Sequence, residues 1–113
     1  MAVDEGLNEI YRIALVDVPG VTEKKMMGGV CFMVNGNMLG GAHREKDGTG
    51  YFMFRVGKEN AASAEKIGGG EVMKQGGRVM SGLYFVEADE CSETLFEKWK
   101  SLALSHALSL PPK

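Results

Sequence analysis

Apolar residues recur at intervals of three and four positions near the start of the chain, a spacing that places them on one face of a helix. The amphipathic segment runs from Asp4 to Asp17, with Asp4 as its N-cap or as an acidic residue of its first turn. Pro19 disfavours helical geometry in the residue before it, so the helix is expected to stop at the "VPG" turn. The residues predicted to face the core are Leu7, Ile10, Tyr11, Ala14 and Val18.

A second helical pattern occupies the end of the sequence. It begins at Ser92, with Ser92 or Asp89 as the cap, and the two prolines after Leu110 must end it there. A histidine, His106, falls inside the apolar stripe of this helix and is expected to touch the core. The other residues of that stripe are Leu95, Trp99, Leu102, Ala103 and Leu110.

Between these helices, short apolar runs bounded by turn residues predict strands. Asn35-Gly36-Asn37 suits a tight hairpin, because Asn and Gly tolerate the positive φ that such turns require. The segment from Lys58 to Ile67 is rich in Ala, Glu and Lys and predicts a short helix. The glycine-rich stretch from Gly68 to Gly77 has little to pack and is expected to be the most mobile segment. The predicted strands are Val21–Met27, Val30–Val34, Met38–Ala42, Tyr51–Val56, Glu71–Lys74 and Gly77–Ala88, with His43–Gly50 as a polar connection.

The elements follow the order of one helix, three or four strands, a helix, two strands and a final helix. This order predicts an α+β fold with a largely antiparallel sheet of five to six strands and three helices. A chain of 113 residues suits a single domain, residues 1–113, and can bury a core without disulfides or metals.

The overall charge of the chain is slightly acidic. Thirteen Lys and Arg residues against fifteen Asp and Glu residues give a net charge of −2, so no global positive field would attract nucleic acid or anionic lipid. The sequence shows no secretory leader and no apolar run of membrane-spanning length. We therefore expect a cytoplasmic protein whose two cysteines are reduced.

Few residues suggest catalytic or ligand-binding chemistry. The glycines of residues 24–41, "KKMMGGVCFMVNGNMLGG", lack the spacing of phosphate-binding loops and are interpreted as turn residues. The close pairs typical of structural zinc sites do not occur among the candidate ligands Cys31, His43, Cys91 and His106. Cys31 and His106 are expected to have packing roles, and no catalytic, cofactor-binding or metal-binding residue is predicted. An enzyme or small-ligand carrier that uses Cys31, His43 or His106 is an alternative that requires a pocket.

Two leucines of the last helix are the most informative surface feature. The helical spacing places Leu104 and Leu108 opposite the core stripe, where a monomer would favour polar residues. If both are exposed, they could form a dimer or partner contact, unless a loop or the N-terminal segment covers them. Lys24 and Lys25 are further candidates for the interaction surface.

Residues in the predicted strands bear on two other functions. Basic residues could cluster there and bind nucleic acid directly, although acidic neighbours offset their charge and the phenylalanines are expected in the core. Seven methionines in or beside the strands are interpreted as core filling rather than as a groove for a partner peptide. The basic residues concerned are Lys24, Lys25, Arg44, Lys46 and Arg55.

Four motifs together cover most of the chain: "KKMMGGVCFMVNGNMLGG", "FRVGKEN", "GGRVMSGLYFV" and "SLALSHALSLPPK". In this combination the sequence resembles the N-terminal domain of the TfoX/Sxy competence-regulator family. The resemblance implies an α+β fold similar to type III secretion chaperones, a role in the transcriptional control of DNA uptake in bacteria, and no known catalytic residues.

The expected function is that of a small non-enzymatic regulatory domain that acts through protein contacts. Its expected partner is another protein, such as a transcription factor, or a second copy of the chain. No cofactor is expected, and neither direct nucleic-acid binding nor membrane binding is favoured.

Overall fold

A computed structural model of the chain describes residues 5–26, 29–45, 47–75 and 78–112. In this part of the chain, helices and strands follow one another as the sequence predicts, and the α+β fold is confirmed. The helices and strands are α1 (Glu5–Ala14), β1 (Val21–Met26), β2 (Gly29–Val34), β3 (Asn37–Arg44), β4 (Gly50–Arg55), α2 (Ala61–Ile67), β5 (Gly70–Gln75), β6 (Arg78–Glu87) and α3 (Glu93–Ser109). Short 3₁₀ turns, Lys58–Asn60 and Ala88–Glu90, precede α2 and α3.

The described strands form one six-stranded sheet in the order β1-β2-β3-β4-β6-β5. Every neighbouring pair is antiparallel, which confirms the predicted sheet type. β1 and β5 are the edge strands of this sheet. Phe32 pairs with Gly40 whereas Met33 pairs with Met38, so Leu39 is an extra residue that makes a bulge in β3.

Helices α1 and α3 pack on one face of the sheet, which we call the inner face. The buried side chains of Phe32, Phe52 and Phe54 lie there, as the strand pattern predicts. Tyr11 of α1 stacks on Phe32 with ring centroids 4.9 Å apart and meets the edge of Phe96 of α3 at 5.1 Å. This aromatic cluster joins both helices to the sheet and forms the centre of the core.

A tyrosine hydroxyl inside the core reaches the backbone of the sheet. Tyr11 is completely buried, and its hydroxyl donates a hydrogen bond to the carbonyl oxygen of Met53 at 3.0 Å. This approach requires a glycine at position 40, because a Cβ there would overlap the Met53 carbonyl and crowd the Tyr11 hydroxyl.

The other side of the sheet, which we call the outer face, is largely apolar but is not part of the core between the sheet and the helices. Its side chains alternate with the buried inner-face residues along each strand and do not pack against the core cluster. The prediction that the methionines fill the core is therefore wrong for the three strand methionines whose side chains are described, Met33, Met38 and Met53. The apolar residues of the outer face are Cys31, Met33, Met38, Tyr51, Met53, Leu83 and Phe85, and the strand registers place the polar residues His43, Arg55 and Glu87 on the same face.

The start of α3 agrees with its predicted cap, whereas α1 ends earlier than predicted because a turn replaces its last predicted residues. The Ser92 hydroxyl accepts a hydrogen bond from the Leu95 amide at 3.1 Å, which confirms the predicted cap of α3. α1 ends at Ala14 rather than Asp17, because the amide of Leu15 bonds to the carbonyl three residues earlier and begins a tighter turn.

One strand extends into a segment predicted as irregular, and the strand predicted over Glu71–Lys74 is confirmed as β5. β3 continues to Arg44, so His43 belongs to a strand and not to the polar connection. The glycine-rich stretch contains β5, where Gly70 packs against the ring of Trp99, and the expectation that it has little to pack is wrong. Asp4, Met27, Lys46 and Gly77, each named in a prediction above, lie outside the described residues.

Candidate protein-binding groove

The cysteines and histidines that are candidate ligands or nucleophiles lie in different parts of the fold. Cys31 is buried in β2, and burial raises the pKa of its thiol, although Lys24 on the adjacent strand opposes this shift. Burial also raises the pKa of Cys91 to about 11. Because the thiolate is the reactive form, both thiols are poor nucleophiles at neutral pH.

The two histidines are buried beside carboxylates. His43 lies at the end of β3, where its Nε2 is 3.1 Å from Glu45 Oε1 and its ring stacks on Tyr51. His106 lies on α3 with Nδ1 2.5 Å from Glu59 Oε2, as expected of a hydrogen-bonded core histidine. Within the described chain, no three His, Cys, Asp or Glu side chains lie close enough together to hold a metal ion.

The residues predicted for the interaction surface do not form one patch. Leu108 is 57% exposed, whereas Leu104 is half-buried and packs against the core. Lys24 and Lys25 are both exposed on the edge strand β1, but neighbouring strand residues point to opposite faces of a sheet.

A groove between α1 and α3 is a concave feature that sequence reasoning missed. It has a volume of about 610 Å³. Its floor is the buried apolar surface of Leu7, Phe52 and Phe96. Ile10 and Ile13 of α1 form one wall and remain 52% and 62% exposed, which is unusual for large apolar side chains on one helix face.

Carboxylates surround this apolar groove. Among the described residues, Lys100 is the one lysine that lines it, and its Nζ donates to the Ala14 carbonyl at 2.9 Å and pairs with Glu97 at 2.6 Å. The Lys100 contacts tie α3 to the end of α1 and leave the rim with an excess of negative charge. The acidic residues that line the groove are Asp17, Asp89, Glu93 and Glu97.

The assignment of Ile10 to the core face is wrong for a geometric reason. Leu7, Tyr11 and Leu15, spaced by four, are the buried residues of this segment, and Ile10 lies about 100° around the helix from Tyr11. Ile10 and Ile13 instead begin a second apolar stripe. The signal in the sequence is the spacing of three that also includes Val16, which is 76% exposed.

Comparisons with known proteins connect this fold to one family. The family model of the TfoX N-terminal domain matches residues 14–107, which include β1 to β6 and most of α3. No significant match was found among curated proteins or among solved structures, so the likeness to type III secretion chaperones stays a prediction. Among the described residues, no helix has the length and apolar character needed to cross a membrane. On the family match, the chain belongs to the TfoX N-terminal domain family, whose members are competence-regulator-like.

Proposed function

We propose that this protein is a small non-enzymatic regulatory domain that binds a protein partner in the groove between α1 and α3. The observation that carries the proposal is the pair of exposed isoleucines, Ile10 and Ile13, beside a buried apolar floor. Exposed apolar side chains next to a concave apolar surface favour the docking of another apolar surface, because both are removed from water.

The shape and charge of the groove favour a basic amphipathic helix as its ligand. An apolar groove between two helices suits a third helix that contributes side chains spaced by three or four residues. The rim carboxylates of Asp17, Asp89, Glu93 and Glu97 would face Lys or Arg on the polar side of that helix. The expected partner is therefore a helical protein segment with leucine-type anchors spaced by three or four residues and basic residues on its polar face.

Membership of the family supports a regulatory role for this contact. We infer that the partner is a component of transcriptional control, such as a transcription factor, and that the protein acts as its cofactor. Cys31 and Cys91 are both free thiols, which supports action in a reducing compartment such as the cytoplasm.

The charge distribution favours a protein partner over nucleic acid. Lys24 and Lys25 diverge to opposite faces of an edge strand, whereas nucleic-acid surfaces usually present a continuous basic stripe. The groove between α1 and α3 carries an excess of carboxylates, which would repel phosphates. Binding to a pool of DNA or RNA at low salt would contradict this reading.

The direct test uses two designed helical peptides that share one leucine face. One peptide carries lysines on its polar face and the other carries glutamates, and fluorescence anisotropy measures the binding of each. We expect the lysine peptide to bind more tightly, with an affinity that falls as salt rises. Equal affinities, or tighter binding of the glutamate peptide, would contradict the assignment.

A matched pair of variants locates the binding site. In Ile10→Gln/Ile13→Gln, the loss of about 2 kcal/mol of apolar burial should weaken the lysine peptide roughly thirtyfold. Leu108→Gln replaces a leucine of similar exposure at the far end of α3 and should leave the affinity unchanged. The wild type and these two variants are then used as baits in nuclease-treated bacterial cytosol. A true partner binds the wild type and Leu108→Gln but not the isoleucine variant.

A further inference from the structure

The outer face of the sheet is a second apolar surface, independent of the groove. The described helices contact the inner face, and the apolar side chains of the outer face, apart from the buried Cys31, are only partly buried. Six strands spaced by about 4.8 Å and six residues long give a plane of about 24 by 20 Å. Two such planes in contact would cover about 1,000 Å², the lower limit for a specific protein interface.

One row of residues crosses this face from edge to edge. The strand registers align its members directly opposite one another on neighbouring strands. The row begins with an exposed cation on β1 and ends with an exposed anion on β5, and it has small residues in one half and large residues in the other. In order, it contains Lys24, Cys31, Gly41, Met53, Phe85 and Glu71.

We propose that the outer face binds a second copy of this chain, face to face, around a twofold axis parallel to the strands. Such a rotation exchanges the two edges of the sheet. Lys24 of each copy then lies opposite Glu71 of the other copy, which gives two symmetric pairs of opposite charge.

The same rotation matches large side chains with small ones. Phe85 of one copy lies over Cys31 of the other, and Met53 lies over the gap at Gly41. A side chain at position 41 is excluded by the sheet itself, because a Cβ there would overlap the carbonyl oxygen of Val30. When the row of one copy meets the reversed row of the other, large residues therefore face small ones and opposite charges face each other.

The alternative twofold axis, perpendicular to the strands, is disfavoured by charge. It would leave each edge strand opposite its own copy, so that Lys24 would face Lys24 and Glu71 would face Glu71. Like charges placed opposite one another across an interface oppose association. The charges at the two ends of this row therefore favour the axis parallel to the strands.

Charge reversal tests this geometry with substitutions at exposed positions. Sedimentation velocity of the full chain from 1 to 500 μM should show a monomer–dimer equilibrium. Lys24→Glu and Glu71→Lys should each weaken the dimer about tenfold, because each converts two attractive pairs into repulsive ones. The double variant Lys24→Glu/Glu71→Lys exchanges the charges and should recover the wild-type dissociation constant.

Disulfide trapping provides an independent measurement. In a background of Cys31→Ala and Cys91→Ser, mixed Lys24→Cys and Glu71→Cys proteins should form a disulfide-linked heterodimer under mild oxidation. Within one chain these positions lie at opposite edges of the sheet, about 24 Å apart, which is too far for a disulfide. Homodimers of Lys24→Cys forming faster than the heterodimer would overturn the proposed axis.

Two further outcomes would overturn the proposal. One is a protein that stays monomeric at 500 μM, and the other is a dimer that ignores all charge reversals but dissociates in Leu108→Gln. The groove is tested separately, since Ile10→Gln/Ile13→Gln should dimerise normally and Lys24→Glu should bind the lysine peptide normally. Failure of one proposal therefore leaves the other open to measurement.

Discussion

Replacing Tyr11 by phenylalanine removes a single buried hydrogen bond from the centre of the core. The hydroxyl is completely buried and donates to the Met53 carbonyl oxygen at 3.0 Å. The ring itself is retained, so its contacts with Phe32, Phe54 and Phe96 should persist. The variant therefore isolates the energetic contribution of the hydroxyl group.

The expected cost follows from leaving a buried acceptor without its donor. Such a loss is typically about 1–3 kcal/mol, and for a chain of this size each kcal/mol lowers the melting temperature by roughly 4–8 °C. We therefore expect Tyr11→Phe to lower the free energy of unfolding by about 1.5 kcal/mol and Tm by about 6–12 °C. Urea denaturation followed through the fluorescence of Trp99, the single and completely buried tryptophan, measures the change.

The matched control is Tyr84→Phe. Tyr84 is also buried, but its hydroxyl is 3.5 Å from the Glu65 carboxylate, a distance at which a hydrogen bond is weak. This control should lose less than about 0.5 kcal/mol. Equal losses in the two variants would refute the reasoning that the Tyr11 hydroxyl joins α1 to the sheet.

The stability of the wild type and of Tyr11→Phe at alkaline pH provides a second test of the buried Tyr11 hydroxyl. Burial raises the pKa of Tyr11 well above its ordinary value of 10.0. Below pH 10 both the folded and the unfolded chain keep the proton, so the contribution to stability is complete. Above pH 10 the unfolded chain ionises first, and the wild type should lose about 1.4 kcal/mol per pH unit relative to Tyr11→Phe. A constant difference between the two proteins from pH 9 to 11 would contradict this assignment.

Three further predictions concern other parts of the molecule. Gly57→Ala should lower the free energy of unfolding by about 2 kcal/mol or more in urea denaturation, because Gly57 has φ 84° and a Cβ would overlap the His106 ring. The hydrogen bonds from Arg12 lower the pKa of Glu23, so their stabilisation is complete above pH 4.5 and is lost as pH falls; Glu23→Gln should therefore flatten the acid limb of the Tm profile. Cys91 should react slowly with a disulfide reagent at pH 7.5 and progressively faster toward pH 11, and a fast reaction at pH 7.5 would contradict the raised pKa.

The elements of the fold could be predicted because local signals agree with tertiary structure. Ser92 supplies the cap of α3, Asn35 and Gly36 adopt positive φ in the hairpin, and the alternation around Phe52 and Phe54 fixes β4. The strand over Glu71–Lys74 is also predicted, although the glycines around it weaken the strand pattern. Tertiary packing explains the glycine at position 70, because a side chain there would collide with the ring of Trp99 from α3.

The candidate surfaces could not be predicted from periodicity alone. Alternation separates two faces of a strand but does not say which face a helix covers, so the sequence predicts Met53 in the core although it lies on the outer face. The groove depends on α1 and α3, whose contact between Ala14 and Lys100 joins residues 86 positions apart. The spacing within α1 places Ile10 on the predicted apolar face of the helix. Only the packing of α3 against α1 shows that Ile10 borders a groove.

The most direct test of the proposed binding site is a chemical-shift map of the ¹⁵N-labelled protein titrated with the lysine-faced helical peptide. The proposal predicts shifts concentrated at the groove, in residues such as Ile10, Ile13 and Phe96, with the signals of the outer face and of Leu108 unchanged. Shifts centred on the outer face or on the end of α3, with the groove signals unmoved, would contradict it.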